Sequence, residues 1–198
     1  MPTLQEQFGQ IDIYLFDQLL RGNIKPGMRV LDAGCGSGRN LVYLLREGYD
    51  VFAADHDPAV IEHIRITFPS LPASNLRLES LDAISYPDAT FNVIICNAVL
   101  HFSRDEAHFD AMLKNLWRVL KPGGLLFSRL ASTIGMSHKH VTGHHYVAPD
   151  RVERFCVDEA FLMQRTATLN AELVDPIKTT VVQNQRCMTT WVIRKRPH

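Results

Sequence analysis

The sequence lacks an excess of charge of either sign. Lysine and arginine together number 21, as do aspartate and glutamate, so the formal net charge is 0 and the isoelectric point is about 7.1. Proteins that bind nucleic acids usually carry a strongly basic surface, because contacts to phosphate groups supply much of their affinity. The neutral balance therefore argues against a nucleic-acid partner.

The sequence also lacks a long apolar run. The stretch from Phe91 to Leu100 is interrupted by Asn92 and Asn97, and about 20 apolar residues are needed to cross a bilayer. Residues 1–6 show neither the basic patch nor the apolar core of a secretory signal. We therefore expect no membrane span, no membrane partner and a cytoplasmic location.

Cysteine is scarce, and its four residues are far apart in the chain: Cys35, Cys96, Cys156 and Cys187. This spacing indicates free thiols, in keeping with a cytoplasmic location. Cys35 and Cys96 are expected to pack as small hydrophobic side chains. Separation along the chain leaves open whether Cys156 and Cys187 lie beside a substrate.

Short apolar runs alternate with segments of helical periodicity. The runs predict five strands, at residues 28–32, 51–54, 76–78, 91–96 and 125–130. Helices are predicted from Leu41 onwards and at residues 58–68 and 109–120. Strands that alternate with helices form a parallel sheet covered on both faces. The sequence therefore predicts an α/β fold with a Rossmann-like, doubly wound and mostly parallel sheet.

The two ends of the chain depart from this alternation. Residues 179–182 and 188–193 are β-branched runs separated by a short polar segment, which predicts an antiparallel hairpin at the edge of a seven-stranded sheet. Residues 149–164 are mostly helical in pattern, and residues 4–20 form a helical segment that we expect to pack over the carboxyl end of the sheet. No linker divides the chain, so a single domain is predicted.

A glycine-rich loop follows the first strand, with the sequence Asp32-Ala33-Gly34-Cys35-Gly36-Ser37-Gly38. In open α/β sheets, ligands bind beyond the carboxyl ends of the strands, and glycines allow the backbone to approach them closely. A P-loop needs lysine and then serine or threonine after its last glycine, and Arg39 and Asn40 do not supply them. Hydrolysis of a nucleoside triphosphate is therefore not expected. The spacing G-x-G-x-G also departs from the dinucleotide fingerprint G-x-G-x-x-G.

An aspartate ends the second predicted strand: Asp55, followed by His56. A carboxylate at this place has two acceptor oxygens and can bind both hydroxyls of a ribose. Several cofactors carry such a ribose, so Asp55 alone does not identify the ligand, and a solvated loop aspartate is the simpler alternative.

Two further motifs follow in order along the chain. Asp82-Ala83 precedes the fourth strand and its end, Phe91-Asn-Val-Ile-Ile-Cys-Asn-Ala-Val-Leu-His101, and the segment Trp117-Arg-Val-Leu-Lys-Pro-Gly-Gly124 leads into the fifth. Together with residues 30–38, these motifs resemble the class I S-adenosylmethionine-dependent methyltransferases over residues 30–127. The final hairpin also suits this family better than an ordinary dehydrogenase.

The resemblance implies S-adenosylmethionine as cofactor, with S-adenosylhomocysteine as product. It implies cofactor contacts from the loop residues Asp32, Gly34, Cys35, Gly36 and Gly38. It further implies that Asp55 and His56 lie at the ribose, Asp82 and the backbone amide of Ala83 at the adenine, and Asn97 beside the sulfonium. On this basis the chain would divide into a helical cap (1–27), a cofactor-binding core (28–132), an acceptor-side loop (133–150) and a helix with the hairpin (151–198).

The expected reaction is methyl transfer to a small-molecule acceptor. Such a transfer is an in-line displacement, and holding donor and acceptor in alignment is worth about 7–11 kcal/mol. An oxygen or nitrogen acceptor usually needs a base, and His101 is the candidate nearest the expected methyl group. The alternative is that His101 forms the floor of the pocket.

The acceptor class is narrowed by a motif that is missing. Methyltransferases that modify the exocyclic amine of a base characteristically have Asn or Asp, then two prolines and an aromatic residue at the end of the fourth strand, whereas this chain has residues 97–100 as Asn-Ala-Val-Leu. A narrower similarity, at residues 36–40 and 43–51, is to the tellurite-resistance branch and related small-molecule methyltransferases. A small-molecule acceptor is therefore expected.

A histidine-rich segment follows the fifth strand and contains His138, His140, His144 and His145. Its spacing is not a recognised zinc pattern, and no cysteine joins it, so no metal site is expected. A mobile loop over the acceptor pocket is the preferred interpretation.

Two other functions remain open at this stage. A nicotinamide-dependent oxidoreductase would bind reduced nicotinamide dinucleotide in preference to S-adenosylmethionine. A non-catalytic binding module would bind S-adenosylmethionine without transferring its methyl group.

Overall fold

The computed structural model describes residues 3–136, 141–142, 144–147 and 151–197. Its strands are β1 (Arg29–Ala33), β2 (Asp50–Asp55), β3 (Leu76–Leu78), β4 (Phe91–Asn97), β5 (Leu120–Ala131), β6 (Val141–Thr142), β7 (His145–Val147), β8 (Glu153–Phe155), β9 (Ala171–Leu173), β10 (Lys178–Val182) and β11 (Arg186–Lys195). Its helices are α1 (Leu4–Phe8), α2 (Ile13–Leu20), α3 (Leu41–Arg46), α4 (Pro58–Thr67), α5 (Glu106–Val119) and α6 (Glu159–Thr168).

One large sheet organises the molecule. Its strand order is β3-β2-β1-β4-β5-β11-β10, and β9 pairs with the far end of β11. Strands β1 to β5 are parallel, whereas β10 and β11 form an antiparallel hairpin that joins β5. This arrangement confirms the predicted Rossmann-like α/β fold with a mostly parallel sheet and an antiparallel hairpin. Strand β9 and a small second sheet, β6-β7-β8, are additions to the prediction.

Helices cover both faces of the large sheet. Phe91, Phe109 and Trp191 belong to the buried cluster on one face, and Leu15 and Ile64 belong to the cluster on the other. All five side chains have almost no exposed surface, and burial of each such side chain stabilises the fold by about 1.5–3 kcal/mol before entropy is counted.

Aspartate side chains define where three helices begin. Asp57 accepts a hydrogen bond from the backbone of Ala59 at the start of α4, and Pro58 occupies the first helical position. Asp105 caps α5 and Asp158 caps α6 in the same way. The cap at Asp105 explains why α5 begins three residues earlier than its apolar periodicity indicates.

The N-terminal segment is two helices rather than one. Gly9 ends α1 with a φ of 61°, and a Cβ at this residue would lie 2.8 Å from Cγ2 of Val42. Asp12, ahead of α2, and Tyr14, in its first turn, reach the carboxyl end of the sheet, where both contact Arg129 on β5. The rest of α2 packs through Leu15 against a face of the sheet, so the expected position is correct only for its first residues.

The prediction of a mostly helical segment at 149–164 is wrong. Residues 149 and 150 lie outside the described residues, Arg151 has a φ of 63°, and residues 153–155 form β8. Strand β8 pairs with β7 through Tyr146 and Arg154. Helix α6 begins only after the cap at Asp158. Antiparallel pairing of β8 with the preceding strand β7 has overridden the local helical pattern.

Helices long and apolar enough to span a membrane are not found in the described part of the chain.

Candidate functional site

Polar side chains from three strands meet at the carboxyl edge of the sheet. Asp32 lies near the end of β1, opposite Ile95 of the neighbouring strand β4. Asp55 ends β2 and Asn97 ends β4. The fold therefore brings together three of the residues predicted from separate motifs.

The glycine loop connects β1 to α3 with three residues in the left-handed region. Gly34, Gly36 and Gly38 have φ values of 76°, 51° and 76°. A Cβ on Gly34 would lie 2.5 Å from Cγ2 of Val99, and one on Gly38 would contact the ring of Phe68. A Cβ on Gly36 would meet no atom within 4 Å. Packing therefore requires glycine at positions 34 and 38, and the open space at Gly36 admits a ligand.

Asp55 is buried and tied to this loop. Its Oδ2 accepts a hydrogen bond from the amide of Gly36 at 3.0 Å, and its Oδ1 accepts one from the amide of Asp57 at 3.1 Å. His56 is largely exposed, with its Nδ1 3.4 Å from Oδ1 of Asp55. Each carboxylate oxygen has a further lone pair, so Asp55 can accept hydrogen bonds from a ligand without releasing the loop.

Asp32 is an acid held in an unfavourable environment. Its side chain is buried, and its Oδ2 finds no partner among the described residues. Burial raises the pKa of Asp32 to about 7, although the charge of Arg39 and a hydrogen bond with Asn40 act in the opposite direction. An unsatisfied buried carboxylate is costly, and a cationic or hydrogen-bonding ligand group would relieve that cost.

The side chain of Asn97 is also buried without satisfied hydrogen bonds. Neither its Oδ1 nor its Nδ2 has a hydrogen-bond partner in the described residues. Buried polar groups are normally paired, so the two orphaned side chains of Asp32 and Asn97 mark the same edge of the sheet as a place for a polar ligand.

Asp82 and Ala83 lie in a 3₁₀ turn, Leu81–Ala83, beside α5. A hydrogen bond from the Ser80 hydroxyl lowers the pKa of the Asp82 carboxyl, which is partly exposed. The amide of Ala83 donates to the carbonyl oxygen of Ser80 at 3.0 Å. The expected contact from this amide to an adenine is therefore not prepared in the structure, because the turn already uses its N–H group.

Cys35 faces the hydrophobic cluster that lies beneath α2 and α3. Burial, the largest cause, raises the pKa of its thiol well above the usual range. A protonated, buried thiol packs as a small apolar group, so Cys35 contributes its backbone to the loop rather than a reactive side chain.

The ring of His101 is fixed by the end of β5. The amide of Ala131 donates a hydrogen bond to its Nδ1 at 3.1 Å, and the side chain is buried. Because an amide N–H can only donate, Nδ1 is the acceptor and the neutral ring carries its proton on Nε2. This tautomer favours a donor or orienting role over that of a base.

A cavity of about 540 Å³ adjoins this edge of the sheet. The core contributes Arg39, Ala98, His101 and Arg129 to its wall, while Tyr146 and Arg186 come from the segments after β5. Sequence reasoning did not assign Arg129, Tyr146 or Arg186 a function, and their wide separation along the chain leaves no motif by which to find them.

Within the predicted loop at 133–150, residues 141–142 and 145–147 form strands β6 and β7. His138 and His140 lie outside the described residues. His144 donates a hydrogen bond from Nδ1 to the carbonyl oxygen of Cys156 and stacks on Phe155, whereas His145 contacts Glu153. No group of three metal-ligating side chains occurs in the described ranges.

Comparison with known proteins gives consistent matches. Residues 31–128 match the family model of a methyltransferase domain. A methyltransferase of uncharacterized function from Bacillus subtilis (strain 168) is 34% identical over 105 residues, which are 51% of this chain and 42% of that protein. The chain spans less than half the length of the first such relatives that it matches.

Solved structures share the fold over nearly the whole chain. A SAM-dependent methyltransferase from Methanosarcina mazei aligns with a TM-score of 0.75 and 19% identity, covering 91% of this chain and 98% of that one. The 1,6-didemethyltoxoflavin-N1-methyltransferase of Burkholderia thailandensis, solved with 1,6-didemethyltoxoflavin and S-adenosylhomocysteine bound, aligns with a TM-score of 0.72 and 18% identity, covering 95% and 80% of the two chains.

Proposed function

We propose that this chain, which belongs to the class I S-adenosylmethionine-dependent methyltransferases, binds S-adenosylmethionine at the carboxyl edge of its sheet and transfers the methyl group to a small-molecule acceptor. The observation that carries the proposal is the pair of orphaned buried side chains, Asp32 and Asn97, beside the open glycine Gly36. These groups fit a ligand that is cationic at one end and rich in hydrogen-bond partners.

Several residues would hold the cofactor. Asp32 would bind its ammonium group, since a positive charge stabilises the ionised carboxylate. Asp55 would accept hydrogen bonds from the ribose hydroxyls, while Gly36 allows the backbone to approach the ligand. Asp82 would lie at the adenine, where its partly exposed carboxylate can accept a hydrogen bond. His56 remains a weaker candidate, because its side chain is largely exposed.

When bound, S-adenosylmethionine supplies a methyl group on a positively charged sulfur. Asn97 would orient polar groups near this position, and Ala98 and His101 would form the wall between the two binding regions. The buried ring of His101 excludes water from this region. We assign it an orienting role, in which it holds the acceptor in line rather than removing its proton.

A small-molecule acceptor is supported by the size of the adjoining cavity, about 540 Å³, which lies in the usual range for small-molecule sites. The acceptor-side segment at 133–150 contributes Met136 and Tyr146 to its wall. The neutral net charge supports the absence of a nucleic-acid partner. A membrane partner is likewise not expected, and a cytoplasmic location remains a prediction.

The assignment of the ribose site is tested with two aspartates of the same strand. Asp55→Ala removes the carboxylate at the carboxyl end of β2, and we expect it to weaken S-adenosylmethionine binding about 10- to 100-fold, the usual loss for a hydrogen bond to a charged group. Asp50→Ala, at the opposite end of β2, removes an exposed ion pair with Arg29 and serves as the control. Equal affinities for Asp55→Ala and the wild-type protein, measured by titration calorimetry, would contradict the assignment.

A further inference from the structure

Arginine is concentrated in the wall of the cavity beside the cofactor region. The side chains come from four separate parts of the chain: Arg39, Arg129, Arg154 and Arg186. No aspartate or glutamate belongs to the part of the wall formed by the described residues. Arginines are therefore the charged side chains of this part of the wall, although the whole chain is neutral.

Two of these arginines share a single acid. Arg129 places Nη1 2.8 Å from Oδ2 of Asp12, and Arg39 places Nη2 3.9 Å from the same oxygen. The Nε of Arg129 is buried and finds no partner among the described residues, and its guanidinium lies over the ring of Tyr14. Asp12 is thus shared by two guanidinium groups, and Asp32, on which the charge of Arg39 also acts, is a second acid at the end of the cavity near the glycine loop. Among the described residues, the buried Nε of Arg129 is left there as an unpaired donor.

Arg186 adds charge at another part of the wall. It is exposed at the start of β11, and no carboxylate of the described residues lies within 4.0 Å of it. The preceding residue, Gln185, accepts a hydrogen bond from the hydroxyl of Tyr146 through its carbonyl oxygen at 2.7 Å. This bond ties the start of β11 to the cavity wall, so Arg186 is held where a ligand can reach it.

We propose that the acceptor of this methyltransferase is a small organic anion, held through a carboxylate or phosphate group by Arg186 together with Arg39 and Arg129. This inference rests on the proposed function, since it names the chemical class of the acceptor. A guanidinium presents several N–H donors in one plane and pairs with the two oxygens of a carboxylate or phosphate. The three arginines are specificity-determining residues, whereas Ala98 and His101 face the expected position of the methyl group.

The test measures binding of matched charged and uncharged probes to the protein saturated with S-adenosylhomocysteine. Carboxylates of increasing size are paired with their amides (succinate, benzoate and indole-3-acetate), and phosphate esters with their alcohols (glycerol 3-phosphate and phenyl phosphate). We expect at least one anion to bind, its uncharged counterpart to bind at least about tenfold more weakly, and the successful series to identify the anion as carboxylate or phosphate.

Arg186→Gln is the informative variant, because an exposed side chain can be replaced without loss of the fold. It should weaken binding of the anion about 10- to 100-fold and leave the uncharged probe unchanged. Arg65→Gln, which removes an exposed arginine of α4 on another part of the surface, is the matched control and should bind as the wild-type protein does.

Three results would overturn the inference: no anion of the panel binds, the charged and uncharged members of each pair bind equally, or Arg186→Gln binds the anion as tightly as Arg65→Gln. Binding of S-adenosylhomocysteine is recorded in the same samples. If it binds while the anion result is negative, only the acceptor class is wrong. If it does not bind, the proposed function itself fails.

Discussion

At the scale of single residues, Asp32 shows a conflict between stability and ligand binding. Its carboxylate is buried with one orphaned oxygen, and burial raises its pKa to about 7. A polar group in this condition destabilises the ligand-free protein. Such a cost is typical of binding sites, where the ligand supplies the missing partner.

Replacing Asp32 with asparagine should therefore stabilise the ligand-free protein and weaken its binding of S-adenosylmethionine. The pKa of Asp32 is higher in the folded than in the unfolded chain, so the folded state binds more protons between about pH 4 and pH 7 and loses stability as the pH rises through this window. The gain of Asp32→Asn should be absent below about pH 4 and reach about 1–3 kcal/mol above pH 7. Chemical denaturation of both proteins in each of these two pH ranges measures the stability gain, and a loss of stability in Asp32→Asn above pH 7 would contradict the interpretation.

The same carboxyl predicts how cofactor affinity depends on pH. A cationic ligand binds the ionised form of Asp32, so binding below about pH 7 must release a proton, and affinity should fall by up to about tenfold per pH unit. Titration calorimetry between about pH 5.5 and pH 7.5 tests this dependence. In Asp32→Asn the affinity for the cofactor should change less with pH. If it changes with pH as much as in the wild-type protein, the effect belongs to another titratable group.

At the scale of elements, the glycines of the loop have different roles: Gly38 is required for packing, and Gly36 leaves space for a ligand. Gly38→Ala places a methyl group against Phe68 and Ile64 at a positive φ, whereas Gly36→Ala meets no protein atom. A side chain in the left-handed region costs about 1–2 kcal/mol by itself. We expect Gly38→Ala to lose more stability than this, because overpacking adds to the strain.

Gly36→Ala should affect ligand binding more than it affects stability. Its stability loss should remain near the backbone cost alone, while its affinity for S-adenosylmethionine falls at least about tenfold, since the added methyl group occupies the space of the ligand. Thermal unfolding and calorimetry of both variants separate the two effects. Equal stability losses in Gly36→Ala and Gly38→Ala would show that the loop has no position reserved for a ligand.

Strands could largely be predicted where a short apolar run in the sequence is enough to define them. β3 has the predicted bounds, and β2 and β4 agree within one residue, because short apolar runs between polar segments suffice to define them. The break at Gly9 was missed although its signals are local, since a glycine with a positive φ ends α1 and the Asp12 side chain caps α2. Strand β8 escaped prediction because residues 149–164 have a mostly helical local pattern, whereas pairing with β7 makes residues 153–155 a strand.

At the scale of the whole molecule, the cofactor-binding residues could be identified from the sequence, whereas the arginines of the adjoining cavity could not. Asp32, Gly36 and Asp55 belong to short motifs and could be identified before their positions were known. The arginines of the cavity come from segments as distant as residues 39 and 186, so only the fold brings them together. At Ala83 the sequence motif is present, but the motif could not show that the amide N–H group is bonded to the carbonyl oxygen of Ser80.

Cofactor binding should also stabilise the molecule as a whole. A ligand that binds only the folded state at 100 times its Kd adds about 2.7 kcal/mol, which for a chain of this size raises Tm by about 5–10 °C. S-adenosylhomocysteine should produce this shift in the wild-type protein and a smaller one in Asp55→Ala at the same concentration. The absence of any shift at saturating concentration would mean that the ligand does not bind the folded state preferentially.

The most direct test of the central claim is a calorimetric titration of the wild-type protein with S-adenosylmethionine and S-adenosylhomocysteine, with reduced nicotinamide dinucleotide as competitor. A methyltransferase site predicts saturable binding of the first two at one site per chain, with no displacement by the dinucleotide. Binding of the dinucleotide without binding of either sulfur compound would contradict the account and point instead to hydride transfer at Gly36 and Asp55.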